Sequence, residues 1–212
     1  MRQRVSKGGL TVNAIAGSYV VLLGLNISEA KRKGLRGFAI KRTDHTEGES
    51  YWMCGTKTFQ SVEPHPAPGG QYSSHLHPFQ SFQWSDYSAK PGYSYTYTVV
   101  AMYGPVDALT DGVSVDVSVT TERIEGELHT VHFNRGSVAT QEYARRFQNL
   151  PPLPLKKGGP SAGQAALDWL SRGLVEGITA FIRRAAGPGY ALKGCFYEFQ
   201  WPSVLDELRK AK

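Results

Sequence analysis

Apolar and polar positions alternate in short runs through residues 1–120, and the runs are rich in Val, Thr, Tyr and Ser, with Gly and Pro between them. A period of two puts every second side chain on one face, so each run predicts a half-buried strand. Residues 12–27 predict one or two strands, with Tyr19, Val21, Leu23 and Leu25 on one parity. Residues 37–42 predict another, closed by Thr43 and Asp44, and residues 50–53 a third. A loop with Pro64, Pro66, Pro68, Gly69 and Gly70 follows, and Phe79, Phe82 and Trp84 then lead to the turn pair Pro91 and Gly92. Residues 93–102 place Tyr95, Tyr97, Val99 and Ala101 on one face, and residues 113–121 do the same with Val113, Val115, Val117 and Val119. About seven short strands with no helical period between them predict a β-sandwich.

Beyond residue 121 the period changes. Residues 122–133 read as an extended lead-out, and residues 137–147 as a short helix with Tyr143 and Phe147 at i, i+4 beside Arg145 and Arg146. The run LPPLPLKKGGP at 150–160 reads as a linker; its Pro151, Pro154 and Lys156 also fit a Pro-rich recognition motif. Ser161 and Gln164 have capping-box spacing. Ala166, Leu170, Leu174, Ile178, Phe181, Ile182 and Ala185 then form one helical stripe, ended by Gly187, Pro188 and Gly189. Gly173 and Gly177 form a G-x-x-x-G, but Arg172, Glu176 and Arg183 exclude a membrane helix, and close packing on a sheet accounts for the glycines better. Residues 192–199 are apolar on both faces apart from Lys193 and Glu198, as a buried parallel strand is. Pro202 then opens a last helix, with Asp206 and Glu207 early and Lys210 and Lys212 late.

The predicted fold class is therefore multidomain α and β: a sandwich at 1–125, a lead-out, short helix and linker at 126–163, and an incomplete helix-strand-helix α/β segment at 164–212. A lone strand has no sheet partner, so this last segment is expected to need further chain or another molecule.

Composition changes this picture little. The 24 basic and 18 acidic residues give a net charge of +6, spread along the chain with one short run, Lys31-Arg32-Lys33. That excess suits anionic partners, but scattered solvated lysines and arginines account for it better. Cys54 and Cys195 lie far apart, with neither a disulfide framework nor a zinc spacing, which suits a reducing cytoplasm. No apolar run is long enough to span a bilayer.

Three groups could carry chemistry. His75 and His77, with His65 nearby, could set two imidazoles on one strand face for a metal, although no Asp, Glu or Cys follows at ligand spacing. Phe79, Phe82, Trp84 and Tyr87 could form a platform for stacking sugars or bases, or simply core. Glu198, an acid at the carboxyl end of the 192–199 strand, is the candidate substrate-binding residue; a helix cap or solvated strand end explains it as well. No cofactor is expected.

The run AKPGYSYTYTVVA at 89–101 resembles the end of a fibronectin type III domain, with Tyr95 at the position of the tyrosine that ties down the corner before the strand. The closing Val-rich strand ending at Thr120 and Thr121 agrees, whereas Leu23 or Leu25 stands where that family usually has tryptophan. A second resemblance runs nearly end to end. VHFNRG at 131–136, YARRF at 143–147, ALDWLSRGL at 166–174, YEF at 197–199 before Pro202, and QSFQW at 80–84 through AKPG at 89–92 resemble bacterial phospholipase D-like proteins. In those a β-domain precedes a phosphodiesterase fold whose paired H-x-K-x-x-x-x-D motifs supply a nucleophilic histidine, an acid histidine and phosphate-holding lysines. Here His45, His65, His75, His77, His129 and His132 all lack a lysine two residues on, so no catalytic residue carries over. The resemblance implies a non-catalytic N-terminal portion, partnered by the remainder of such a catalytic domain and by a phosphodiester ligand, lipid or nucleic acid. The alternative is a stand-alone binding module for a protein, glycan or nucleic acid.

Overall fold

Strands β1 (Arg2–Lys7) and β2 (Leu10–Ala16) fold back on each other through Gly8 and Gly9, at φ 56° and 88°, a conformation that only glycine adopts freely. The computed structural model describes residues 1–136 and 140–211 and divides into two units, Met1–Gly126 and Glu127–Lys212. The first unit continues with β3 (Val21–Ile27), β4 (Gly37–Asp44), β5 (Glu49–Trp52), β6 (Cys54–Gly55), β7 (Tyr72–Ser73), β8 (Gln83–Asp86), β9 (Ser94–Tyr103) and β10 (Thr110–Thr120). All pairings are antiparallel, in two four-stranded sheets of order β1-β2-β3-β8 and β10-β9-β4-β5, with β6-β7 a separate ribbon.

The alternation sets the core. Leu10, Val12, Ala14, Val21, Leu23 and Ile27 of the first sheet share one buried cluster with Ile40, Tyr97, Val99, Val115 and Val117 of the second. Full burial of each Val, Leu or Ile contributes about 1.5–3 kcal/mol, enough in sum to drive the two sheets together. Arg42 on β4 and Asp86 on β8 pair across the two sheets at 2.8 Å, with both side chains buried. Tyr97 donates its hydroxyl to the same Asp86 oxygen at 2.8 Å, and Ser88 Oγ and the Ser88 N–H donate to the other at 2.6 and 2.8 Å. Burial disfavours the Arg42 charge, yet Asp86 outweighs it and the guanidinium pKa is raised. Burial and the same carboxylate push the Tyr97 phenol well above its ordinary value.

β4 keeps no open edge. β5 pairs with it over residues 41–44; beyond that Met53 N–H donates to Ile40 O, and Ser74 Oγ bonds both the N–H and the carbonyl of Ile40. Phe79 then exchanges both backbone hydrogen bonds with Phe38 at 2.9 Å. The segment after β5 thus completes the sheet piecewise, satisfying groups that would otherwise be buried unpaired. At the far margin of the first sheet, β1 is exposed and carries Arg2, Arg4 and Lys7, charges that discourage edge-to-edge pairing.

The described residues of the second unit form four helices, α1 (Gln141–Phe147), α2 (Gly163–Ser171), α3 (Leu174–Arg183) and α4 (Pro202–Lys210). α1 is capped by Thr140 Oγ1, which accepts from Tyr143 N–H; residues 137–139 of the expected helix lie outside the described residues. Tyr143, Phe147 and Trp169 form an aromatic nucleus, with the Arg135 guanidinium 4.3 Å from the Trp169 ring centre. The single helix expected over 164–185 is two, because Arg172 and Gly173 take left-handed φ of 50° and 85° between them. The capping box does not form: Gln164 reaches forward to Asp168 at 2.6 Å, and α2 has no side-chain cap. Gly177 admits the His132 ring, since a Cβ there would lie 2.6 Å from its Nε2.

The strand expected at 192–199 is absent. Those residues are irregular and exposed, and the described residues of this unit hold no strand to pair with them, so the backbone has no ladder to join. The α/β arrangement is therefore not formed in the second unit. No helix among the described residues is long and apolar enough to cross a membrane.

Candidate functional site

The segment that seals β4 also builds a pocket. Residues 55–59 leave β6 while residues 77–84 pass from the β4 edge into β8, and between them lies a cavity of about 560 Å³. Phe59, Phe79, Trp84, Pro66 and Pro78 supply its apolar lining; Thr56, Lys57, Thr58, His77, Gln80 and Ser81 supply polar groups. A shallower groove of about 250 Å³ shares Phe59 and Gln80 with it and adds Leu35, Arg36, Gly37, Phe38 and Phe82. Volume and mixed lining are those of a small-ligand or chain-binding cleft.

Two glycines hold the central ring. Gly37, at φ 138°, lies where a Cβ would come within 2.6 Å of the Phe79 carbonyl oxygen, and a Cβ on Gly55 would lie 2.8 Å from the Phe79 ring. The close approach lets Phe79 bridge to Phe38 by its backbone while its ring stacks on Trp84, with centres 5.0 Å apart and planes at 22°. Phe82 is exposed and meets Phe38 edge to face in the adjoining groove.

His77 is 8% exposed and lies between Phe59 and Tyr72. Its Nδ1 accepts from Phe59 N–H at 3.2 Å, so the neutral ring carries its proton on Nε2. Nε2 has no partner among the described residues and is not one of their buried unpaired atoms, so it is an accessible donor on a mostly buried ring at the cavity wall. Both side-chain cations of the two compartments, Lys57 and Arg36, are exposed, and neither lining contains a carboxylate.

The expected platform is thus brought together in part. Phe79 and Trp84 share the cavity and Phe82 the groove, but Tyr87 is 77% exposed and lines neither. The expected histidine pair is separated: His75 stacks on Trp52 at 4.4 Å and bonds Asp111 at 2.9 Å, His77 faces the pocket, and His65 is exposed. No group of metal-ligating side chains occurs among the described residues. Glu198 is exposed in the irregular segment rather than at the end of a buried strand. Phe59, Lys57 and the role of His77 escaped the sequence reading; the available signal was a single aromatic, Phe59, in the otherwise polar loop 56–61.

A second cavity, about 790 Å³, lies in the second unit between the end of α3 and α4, where Glu207 takes two hydrogen bonds from Arg183 and one from Lys210. Its charged groups are already paired with one another, which leaves the first pocket as the better candidate. No family model and no curated protein matches the chain.

Proposed function

We propose that the chain is the non-catalytic, N-terminal part of a phospholipase D-like phosphodiesterase, in which the first unit is a fibronectin type III-like module that binds and positions a ligand. The observation that carries the binding role is the aromatic pocket with an unpartnered donor, His77 Nε2, at its wall. Support for the module type comes from the strand order of the two sheets and from Tyr95, whose hydroxyl accepts the Lys90 N–H at 2.9 Å across the corner before β9. Support for the parent family is the sequence likeness of 131–136, 143–147 and 166–174. Residues 164–212 are then the opening of the catalytic sheet, and the uncovered Phe196, Tyr197 and Phe199 fit a strand awaiting its partners. A cytoplasmic location fits two exposed, unpaired thiols, Cys54 and Cys195.

Incubation with bis(p-nitrophenyl) phosphate tests the non-catalytic reading. No turnover is expected; turnover lost on substituting one of the six histidines would overturn it. The stand-alone binding module differs only in needing no downstream domain. Sequencing the gene past the codon for Lys212 separates the two, since an H-x-K-x-x-x-x-D downstream supports the first reading and a stop codon the second.

A further inference from the structure

The pocket's chemistry is more selective than its shape. Sugars and bases both stack on aromatic rings, and hydroxyl and amide groups such as Thr56, Ser81 and Gln80 serve either. Charge separates them. A neutral glycan gains only hydrogen bonds from two exposed cations, whereas a strand of nucleic acid presents a charged phosphate beside every base.

We infer that the cavity and its adjoining groove bind single-stranded nucleic acid, with bases against Phe59 and Phe82 and the backbone along Lys57 and Arg36. The inference rests on the proposed binding role of the first unit and names its ligand. Four observations meet in it. Phe59 and Gln80 line both compartments, so the two adjoin across these side chains, as sites for successive nucleotides would. Phe82 is 44% exposed, with ring surface free for stacking beyond its edge contact with Phe38. Lys57 and Arg36 belong to different compartments, and no carboxylate lines either one, so the linings present a single sign of charge. His77 Nε2, an accessible donor on a mostly buried ring, can reach a base carbonyl or ring nitrogen in the cavity. Stacking tolerates any base, so little sequence preference is expected.

Fluorescence anisotropy of the full chain with a short fluorescein-labelled oligothymidylate tests this. The expected result is saturable binding that weakens as salt rises, with a log–log slope of about −0.7 for each phosphate neutralised. Lys57→Glu and Arg36→Glu should each weaken binding and flatten that slope. Phe59→Ala should weaken binding about ten- to a hundredfold and leave the slope unchanged. Circular dichroism on each variant confirms that the fold is retained. Oligonucleotide binding that none of these variants alters would overturn the inference. Binding of a neutral oligosaccharide or a proline-rich peptide in place of the oligonucleotide, abolished by Phe59→Ala, would overturn the ligand class and leave the module. Absence of binding in all three classes would overturn the module as well.

Discussion

Arg42 and Asp86 face each other at 2.8 Å inside the first unit, one from each sheet, and tie the two sheets together. Asp86→Ala strands a buried guanidinium, and a loss of about 3–5 kcal/mol is expected from the denaturant midpoint. Replacing all three buried partners, Arg42→Met, Asp86→Leu and Tyr97→Phe, should restore most of it, because the attraction within the group is largely offset by the desolvation of its charges and Tyr97→Phe leaves no hydroxyl unpaired. A triple variant as unstable as Asp86→Ala would refute that account.

Tyr95 offers a finer test of the corner. Its hydroxyl accepts the Lys90 N–H, so Tyr95→Phe leaves a main-chain donor unpaired beside a buried ring, at a cost of about 1–2 kcal/mol. Hydrogen exchange at Lys90 should quicken in the same variant; unchanged protection would show that the phenol is not what shields this N–H.

Gly37→Ala should be costly for two reasons, a φ of 138° and a Cβ 2.6 Å from the Phe79 carbonyl oxygen. The strain alone is about 1–3 kcal/mol. Gly55→Ala meets a ring edge instead, which can tilt, so its expected effect is on the pocket. The Phe79 and Trp84 ring resonances should shift with little change in Tm, and a collapse in Tm would show the ring to be immovable.

The second unit should be acid-sensitive. Hydrogen bonds from Arg183 and then Lys210 hold the Glu207 carboxyl at about 2, and Arg145 and Arg146 do the same for Glu142. A carboxyl depressed on folding stabilises fully above its ordinary value of 4.5, and that contribution is lost as pH falls toward about 2. Helical circular dichroism should therefore decline across that window. Glu207→Gln should be less stable at neutral pH and show a shallower decline; an identical acid profile would refute the assignment.

Much of the first unit was legible because alternation is a local signal. β2, β3, β9 and β10 fall where apolar residues recur at every second position, whereas β4 begins on a continuous apolar run, Phe38-Ala39-Ile40, and β5 rests on a run of only four residues. β1 was not, because RQRVSK has one apolar residue, Val5, and both faces are largely exposed. β8 was not either, since four residues containing one Trp carry too little pattern, and its place is set by pairing with β3. The apolar stripe across Arg172 and Gly173 is unbroken, so helical periodicity joins what two left-handed residues divide. Residues 192–199 have a strand's composition, but a strand is made by its neighbours, and the described residues of the second unit supply none. The pocket was half visible: Phe79 and Trp84 drew notice as aromatics, whereas Phe59 and Lys57 reach the site from about 20 residues upstream, a long-range approach that no local pattern encodes.

Phe196, Tyr197 and Phe199 lie open to solvent in a stretch with no proline, and Phe196 and Phe199 already stack on each other at 4.4 Å. Apolar, strand-prone, unpaired segments of this length are the ones that seed intermolecular β-stacking. Lys193 and Glu198 within the stretch, and Pro188 and Pro202 outside it, act as gatekeepers against that outcome. The shelf life of the purified chain therefore hangs on a handful of residues in the second unit that line no part of the pocket, and charge-neutralising substitutions there should shorten it while the first unit stays folded.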